Sequence, residues 1–429
     1  MSQPIRIGIS LGDCNGVGYE VAVKALADEM MTEICTPVLF GSLKIVNKCR
    51  KDLNIENFSF TPVRSLDDVA DGNVSVFDIP ADLSCLVPGN PGKESGRLAV
   101  ASLSAAVDAL IAGDIDALVT APISKEASNS DEFPFPGHTE YLESRAADGS
   151  KALMILFDEN MRIALATTHL PISKVAEAIT RERIVSTVKR LDSSLRLDFS
   201  VRRPKIAVLA LNPHAGDGGL LGSEEADVII PAIEECRQNG VLAFGPFPAD
   251  GFFSSASYLK YDGVVAAYHD QGLAPFKALA GERGVNFTAG LPFVRTSPDH
   301  GTAADIAWQG VADPTSMREA IFRAIDIFRS REMNAEAAAD PLRPASTDKG
   351  DKGARKGKRA PLPPTPAANG EEQPSDAKAE PKAIEAKTPE TKASEANVSV
   401  EETSVEETPA QPAEAPANDT ISTENSSQS

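Results

Sequence analysis

The chain is poor in features that would assign it quickly to a class. Its five cysteines, Cys14, Cys35, Cys49, Cys85 and Cys236, show no paired spacing, which excludes a cysteine-ligated zinc module and a disulfide framework. No apolar run approaches the roughly 20 residues a bilayer-spanning helix needs. No basic, apolar and small-residue sequence of the secretory kind opens the chain, so a cytoplasmic setting without a membrane partner is expected. Positive charge is also short, with 42 Lys and Arg against 62 Asp and Glu and a net charge of −20. Such a chain repels polyanions, so nucleic acid is not an expected partner. Finally, the G-x-G-x-x-G fingerprint is missing. Gly12 to Gly18 and Gly216 to Gly222 are the nearest candidates, and both miss the spacing of a standard Rossmann dinucleotide site.

Composition divides the chain unevenly. Phe328 is the last aromatic residue, and residues 333–429 are Ala, Glu, Pro, Thr, Ser and Lys with hardly a large apolar side chain. Such a segment cannot bury enough surface to offset chain entropy and is expected to be disordered. It holds 18 acidic and 11 basic residues, a net of −7, which leaves −13 for the rest. Residues 1–332 instead alternate short β-rich runs with helical patterns, which predicts an α/β fold with parallel sheets covered on both faces. Strands are expected at 5–10, 37–40, 117–120, 152–156, 163–167, 206–211, 263–267 and 285–288. Helices are expected at 19–28, 96–112, 184–194, 224–238, 302–309 and 316–329. That much core implies two lobes with a cleft, divided near 135–150 and 280–295.

Three of the five histidines follow such strands: His169, His214 and His269 each come after a short apolar run and precede turn chemistry. Open α/β sheets bind ligands beyond the carboxyl ends of their strands, so three imidazoles delivered there can converge. A three-histidine set suits Zn²⁺, Co²⁺ or Mn²⁺ and leaves positions open for a substrate. Pro136-Gly137-His138-Thr139-Glu140 precedes a helical stretch with Thr139 as the expected N-cap, and an imidazole beside a helix N-terminus can hold phosphate or carboxylate. Lys277, Asn286 and Arg295 lie near the His269 element, and an acidic enzyme for an anionic substrate needs local cations of this kind. The glycine turn from Gly12 to Gly18 is open to either reading, an anion cradle or a plain tight turn.

These segments give the chain a resemblance to the 4-hydroxythreonine-4-phosphate dehydrogenase family of pyridoxal phosphate synthesis. It covers Ile5 to about Arg329 and rests on Pro-Gly-His138-Thr139-Glu, Ala-Thr-Thr-His169-Leu-Pro, Leu-Asn-Pro-His214-Ala-Gly, Gly-Pro-Phe-Pro-Ala-Asp250, Tyr-His269-Asp-Gln-Gly-Leu and Gly-Leu-Pro-Phe-Val-Arg295-Thr-Ser-Pro-Asp-His300-Gly301-Thr-Ala. It implies that each lobe is α/β/α, like those of isocitrate and isopropylmalate dehydrogenases, and a homodimer whose active sites draw residues from both subunits. It further implies a divalent ion (Zn, Mg, Co or Mn) on His169, His214 and His269, and a phosphorylated substrate on His138, Thr139, Lys277, Asn286 and Arg295. NAD would sit on the loop with His300, Gly301 and Asp305, and Asp250 or Lys277 would accept a proton. Two departures stand out: Cys14-Asn15 replace the usual Pro-Ala of the opening loop, and Gly251 follows Asp250 where threonine is usual.

The implied reaction is NAD-dependent oxidation of 4-phosphooxy-L-threonine to 2-amino-3-oxo-4-phosphooxybutanoate, which loses CO₂ to give 3-amino-2-oxopropyl phosphate. The same chemistry on a 4-phosphothreonate or 4-phosphoerythronate is the alternative. A metal-dependent hydrolase and a non-catalytic metal or phosphate sensor are more distant ones.

Overall fold

A computed structural model describes residues 4–339; the expected disordered tail beyond them lies outside the described residues. Among the described residues, twelve strands form one sheet. In chain order they are β1 (Arg6–Ser10), β2 (Thr36–Gly41), β3 (Thr61–Val63), β4 (Ser75–Asp78), β5 (Ala117–Thr120), β6 (Leu153–Phe157), β7 (Arg162–Leu165), β8 (Lys205–Leu209), β9 (Leu242–Phe247), β10 (Gly263–Ala266), β11 (Val285–Ala289) and β12 (Val294–Pro298). Their order across the sheet is β3-β4-β2-β1-β5-β12-β11-β6-β7-β10-β8-β9.

The α/β architecture expected from the alternating pattern is borne out. Strands β2, β5 and β10 are buried at every residue, which is why their sequences read as unbroken small and apolar runs. The helix Lys93–Ala112 is long and apolar enough to cross a membrane, yet more than half of its apolar stretch is buried inside the protein, where it packs against β1, β2 and β5. It is a core helix.

Two parallel regions, β3-β4-β2-β1-β5-β12 and β7-β10-β8-β9, meet at a seam where β12, β11, β6 and β7 pair antiparallel in succession. Of the segments expected to divide the lobes, 135–150 precedes β6 and 280–295 holds β11, a strand of the seam itself, and one sheet runs through both. The register puts Leu156, Asn286 and Ser297 in one row across three strands. Because side chains alternate between faces, these residues and their i±2 neighbours Met154, Thr288 and Arg295 share one face. That face carries the site.

Four strands escape the sequence pattern. β12 is Val-Arg-Thr-Ser-Pro and wholly buried, with polarity that reads as loop. β9 contains Gly245-Pro246, β3 is three residues with a proline, and β4 ends in an aspartate. The helix expected at 302–309 shrinks to a turn at Ala304–Ile306, because Ala303 and Trp308 adopt left-handed φ values of 42° and 63°. Thr139 is not the N-cap: the helix starts at His138 after an extended Gly137 and runs to Arg145.

The closing helix, Thr315–Ala339, continues past Met333, where disorder was expected to begin. Asp198 explains part of this. Its carboxylate, 3% exposed, accepts from Arg331 Nε at 2.7 Å and from the Ser194 hydroxyl at 2.6 Å. Asn334 Nδ2 donates to the Leu197 carbonyl at 3.0 Å. Removing the guanidinium strands a buried carboxylate, which costs on the order of 3 kcal/mol. Arg331→Ala should therefore unfold at markedly lower urea concentration than the parent; an unchanged midpoint would show that the pair does not hold the helix.

Candidate active site

A cavity of about 400 Å³ opens over the seam. Met154, Leu156, Asn286, Arg295 and Ser297 form its floor, while His269, Leu273 and Lys277 face it from the helix His269–Ala280. His138, His169, His300 and Gly301 complete the wall. Residues from distant parts of the chain, 138 to 301, therefore converge on one space, as the motifs suggested.

Arg295 is a deeply buried cation. It is 3% exposed; its guanidinium donates to the Thr120 hydroxyl through Nε at 3.1 Å and also through Nη2, and to the Thr288 hydroxyl at 2.9 Å. Burial pushes the guanidinium down to about 9, with Glu140 opposing the shift. It remains cationic at neutral pH, with no carboxylate bonded to it. His138, at the first turn of its helix, is held well below the usual imidazole range by burial first and then by Arg295 and Lys125. It is neutral, and its Nε2 is buried without a partner. Asn286 Oδ1 and His300 Nε2 are likewise buried and unpartnered. Buried polar atoms in this state normally await a ligand or water. Lys277 donates to the Asp299 carbonyl at 2.8 Å and lies 3.2 Å from its carboxylate, whose acidity is weakened by burial.

Strands β7, β10 and β8 are adjacent and parallel, so the three expected metal histidines do follow neighbouring strand ends. Thr167 Oγ1 donates to the Ala267 carbonyl at 2.7 Å, and Gln271 bridges the Ala267 N–H and the Ala210 carbonyl. These bonds fix the start points of the loops. His169 and His269 come within 6.0 Å between ring centroids, and burial followed by Lys125 lowers the basicity of His169. Two imidazoles side by side suit a divalent ion. His214 does not join them: it lies in Pro213–Gly219 with φ 52°, and among the described residues no three metal-ligating side chains cluster.

Other expected residues stand elsewhere. Asp250 is exposed on the helix Ala249–Ser254, and Thr139 is only partly buried and does not line the cavity. Asp305 is exposed on its turn, beyond His300 and Gly301. The loop it belongs to packs on the glycine turn, where Val17 N–H donates to the Thr302 carbonyl at 2.9 Å and a Cβ on Gly16 would meet that oxygen at 2.7 Å. The two sequence candidates for nucleotide contact thus pack on each other, with the glycine turn buried and Asp305 exposed. Lys125 and Asp299 line the cavity and were not singled out from the sequence. Asp299 lies inside the motif that carries His300, whereas Lys125 has no signal but its place after β5.

Comparison with known proteins gives a consistent answer. Residues 33–324 match the model of the family "Pyridoxal phosphate biosynthetic protein PdxA". A 4-hydroxythreonine-4-phosphate dehydrogenase of Bacteroides thetaiotaomicron is 49% identical over 81% of this chain and 95% of its own. A relative from Oceanobacillus iheyensis, provisionally named a D-threonate 4-phosphate dehydrogenase, is 37% identical over 76% of this chain and 99% of its own. Among solved structures, the 4-hydroxythreonine-4-phosphate dehydrogenase of Klebsiella pneumoniae superposes with a TM-score of 0.66 at 35% identity, over 76% of this chain and 98% of that one.

The cavity chemistry predicts anion binding centred on Arg295. An Arg295→Lys variant keeps the charge but cannot reach both threonines. The ammonium is then not held by the two threonines and offers fewer donors, so losing one charge-assisted bond to the anion, about 1.5–3 kcal/mol, should weaken inorganic phosphate binding by roughly 10-fold or more in calorimetry. Unchanged affinity in a folded variant would make Arg295 a purely structural group.

Proposed function

Because the chain belongs to the family of the pyridoxal phosphate biosynthetic protein PdxA, we propose that it oxidises 4-phosphooxy-L-threonine at its C3 hydroxyl with NAD as hydride acceptor. The product, 2-amino-3-oxo-4-phosphooxybutanoate, then loses CO₂ to give 3-amino-2-oxopropyl phosphate. The chain is an oxidoreductase. The observation that carries the substrate reading is a cavity holding an uncompensated buried guanidinium beside three unpartnered polar atoms, on His138, Asn286 and His300.

In this reading His138, Asn286 and Arg295 bind the phosphorylated substrate, with Thr139 close by in the same helical turn. Neutral His138 donates or accepts at Nε2 without a change of charge. Lys277 anchors a carboxylate or phosphate oxygen; to accept a proton instead it would have to break its bonds to Asp299. His169 and His269 would hold a divalent ion. Bound there, the ion supplies Lewis acidity toward a hydroxyl and later toward a carbonyl. The protein's own contribution is orientation in a partly closed space over the seam. A homodimer with shared active sites would account for His214 and Asp250, which stay outside this chain's cavity.

The O. iheyensis relative supports a second substrate, D-threonate 4-phosphate, which carries a hydroxyl where phosphooxythreonine carries an ammonium. NADH formation, followed at 340 nm with both compounds, separates them. We expect turnover with 4-phosphooxy-L-threonine, its loss after chelation, and no recovery by added metal in His269→Ala. Absence of NADH with every phosphorylated hydroxy acid would leave the hydrolase or the sensor.

NAD is assigned to the loop from His300 to Ala307, with Asp305 on the adenosine ribose. A 2′-phosphate would add about −1.5 to −2 charges beside that carboxylate, so NADP should be the poorer cofactor. Asp305→Ala should raise the KM for NAD and leave metal content intact. Equal use of both cofactors by the parent would show that this loop does not select between them.

A further inference from the structure

Lys125 opens a four-residue helical turn, Lys125–Ser128, that follows β5. Ser124 caps it, its hydroxyl accepting from Ala127 N–H at 3.3 Å. The turn is pinned from behind, because a Cβ on Gly96 would collide with the Ala127 carbonyl, and the Pro122 carbonyl accepts from Asp13 N–H at 3.0 Å. A short, backbone-fixed turn thus delivers one flexible ammonium to the cavity that holds His138, His169 and Arg295.

The cavity cations differ in how far their donors are committed. Arg295 is bonded to two threonines, and Lys277 is paired with Asp299. Lys125 has no ion pair and no hydrogen bond to another described residue, so its three N–H donors are free. Its field nevertheless reaches both His138 and His169. A phosphate monoester brings about −1.5 to −2 charges at neutral pH, and a carboxylate brings one more. A divalent ion on His169 and His269 would serve the reacting hydroxyl; with Lys277 balanced by Asp299, Arg295 alone is left among the side chains to answer the phosphoryl charge.

We propose that Lys125 binds the phosphoryl group of the substrate, closing on it from the His138 side of the cavity. This rests on the phosphorylated-substrate reading above. The side chain is exposed, so it need only swing a few bonds to reach an oxygen, and the pinned turn makes that reach reproducible.

The test pairs kinetics with direct binding. Lys125→Ala should raise the KM for 4-phosphooxy-L-threonine by about 10-fold or more, as expected for a charge-assisted bond, with kcat within about twofold and an unchanged melting temperature. Lys125→Arg should restore most of the affinity. An unchanged KM in Lys125→Ala, or a loss confined to kcat, overturns the assignment and leaves a solvated surface lysine. If the parent oxidises no phosphorylated hydroxy acid, the substrate reading fails. Titration with inorganic phosphate then still decides the lysine: weaker binding by Lys125→Ala than by the parent supports it, and equal binding refutes it.

Discussion

A guanidinium sunk into a sheet persists only if its N–H groups are matched and its charge is answered. Arg295 commits three of its five N–H donors to Thr120 on β5 and Thr288 on β11, so it bonds to both strands that flank its own. The second condition is met only through space, by Glu140. The protein has therefore built a fixed cation without its anion. Much of the site follows from that constraint: an adjacent imidazole kept neutral, acceptors left open, and an acid, Asp299, reserved for Lys277 rather than for the arginine.

The antiparallel seam makes this arrangement possible. In a purely parallel sheet the ligand would lie beyond strand ends. Here the register brings Leu156, Asn286 and Ser297 abreast on one face, and the helix His269–Ala280 roofs that face. The histidine loops then arrive from β7 and β10, held in step by Thr167 and Gln271. Floor and wall are anchored separately, one by strand pairing and the other by side chain to backbone bonds.

The sequence showed the α/β class, most central strands and the cavity's histidines with Lys277, Asn286 and Arg295, because buried strands leave apolar runs and glycine or proline turns mark their ends. It hid β12, whose buried polar residues Arg295 and Thr296 bond to Thr120, Thr288 and the Ala320 carbonyl rather than filling a core. It hid the end of the closing helix, where a single ion pair and one amide, not hydrophobic patterning, dock Arg331 and Asn334. Lys125 was invisible for another reason: a lone lysine on a short turn carries no periodicity, and only its convergence with His138 in space gives it meaning.

His214 shows the limit of strand-end reasoning most clearly. It follows β8 as expected, yet His214, Ala215, Gly216, Asp217 and Gly218 all have positive φ, between 43° and 78°. Left-handed backbone costs a non-glycine residue on the order of 1 kcal/mol, so the turn must be imposed from outside. Glu225 imposes it: one carboxylate oxygen accepts from the N–H groups of Leu211 and Asn212 at 2.8 Å each, and the other from Asn212 Nδ2 at 3.0 Å. The clamp fixes where the chain leaves β8, and the left-handed turn then sets the direction of the imidazole. The position of His214 is thus governed by a buried glutamate eleven residues downstream. A strand pattern carries no trace of that control.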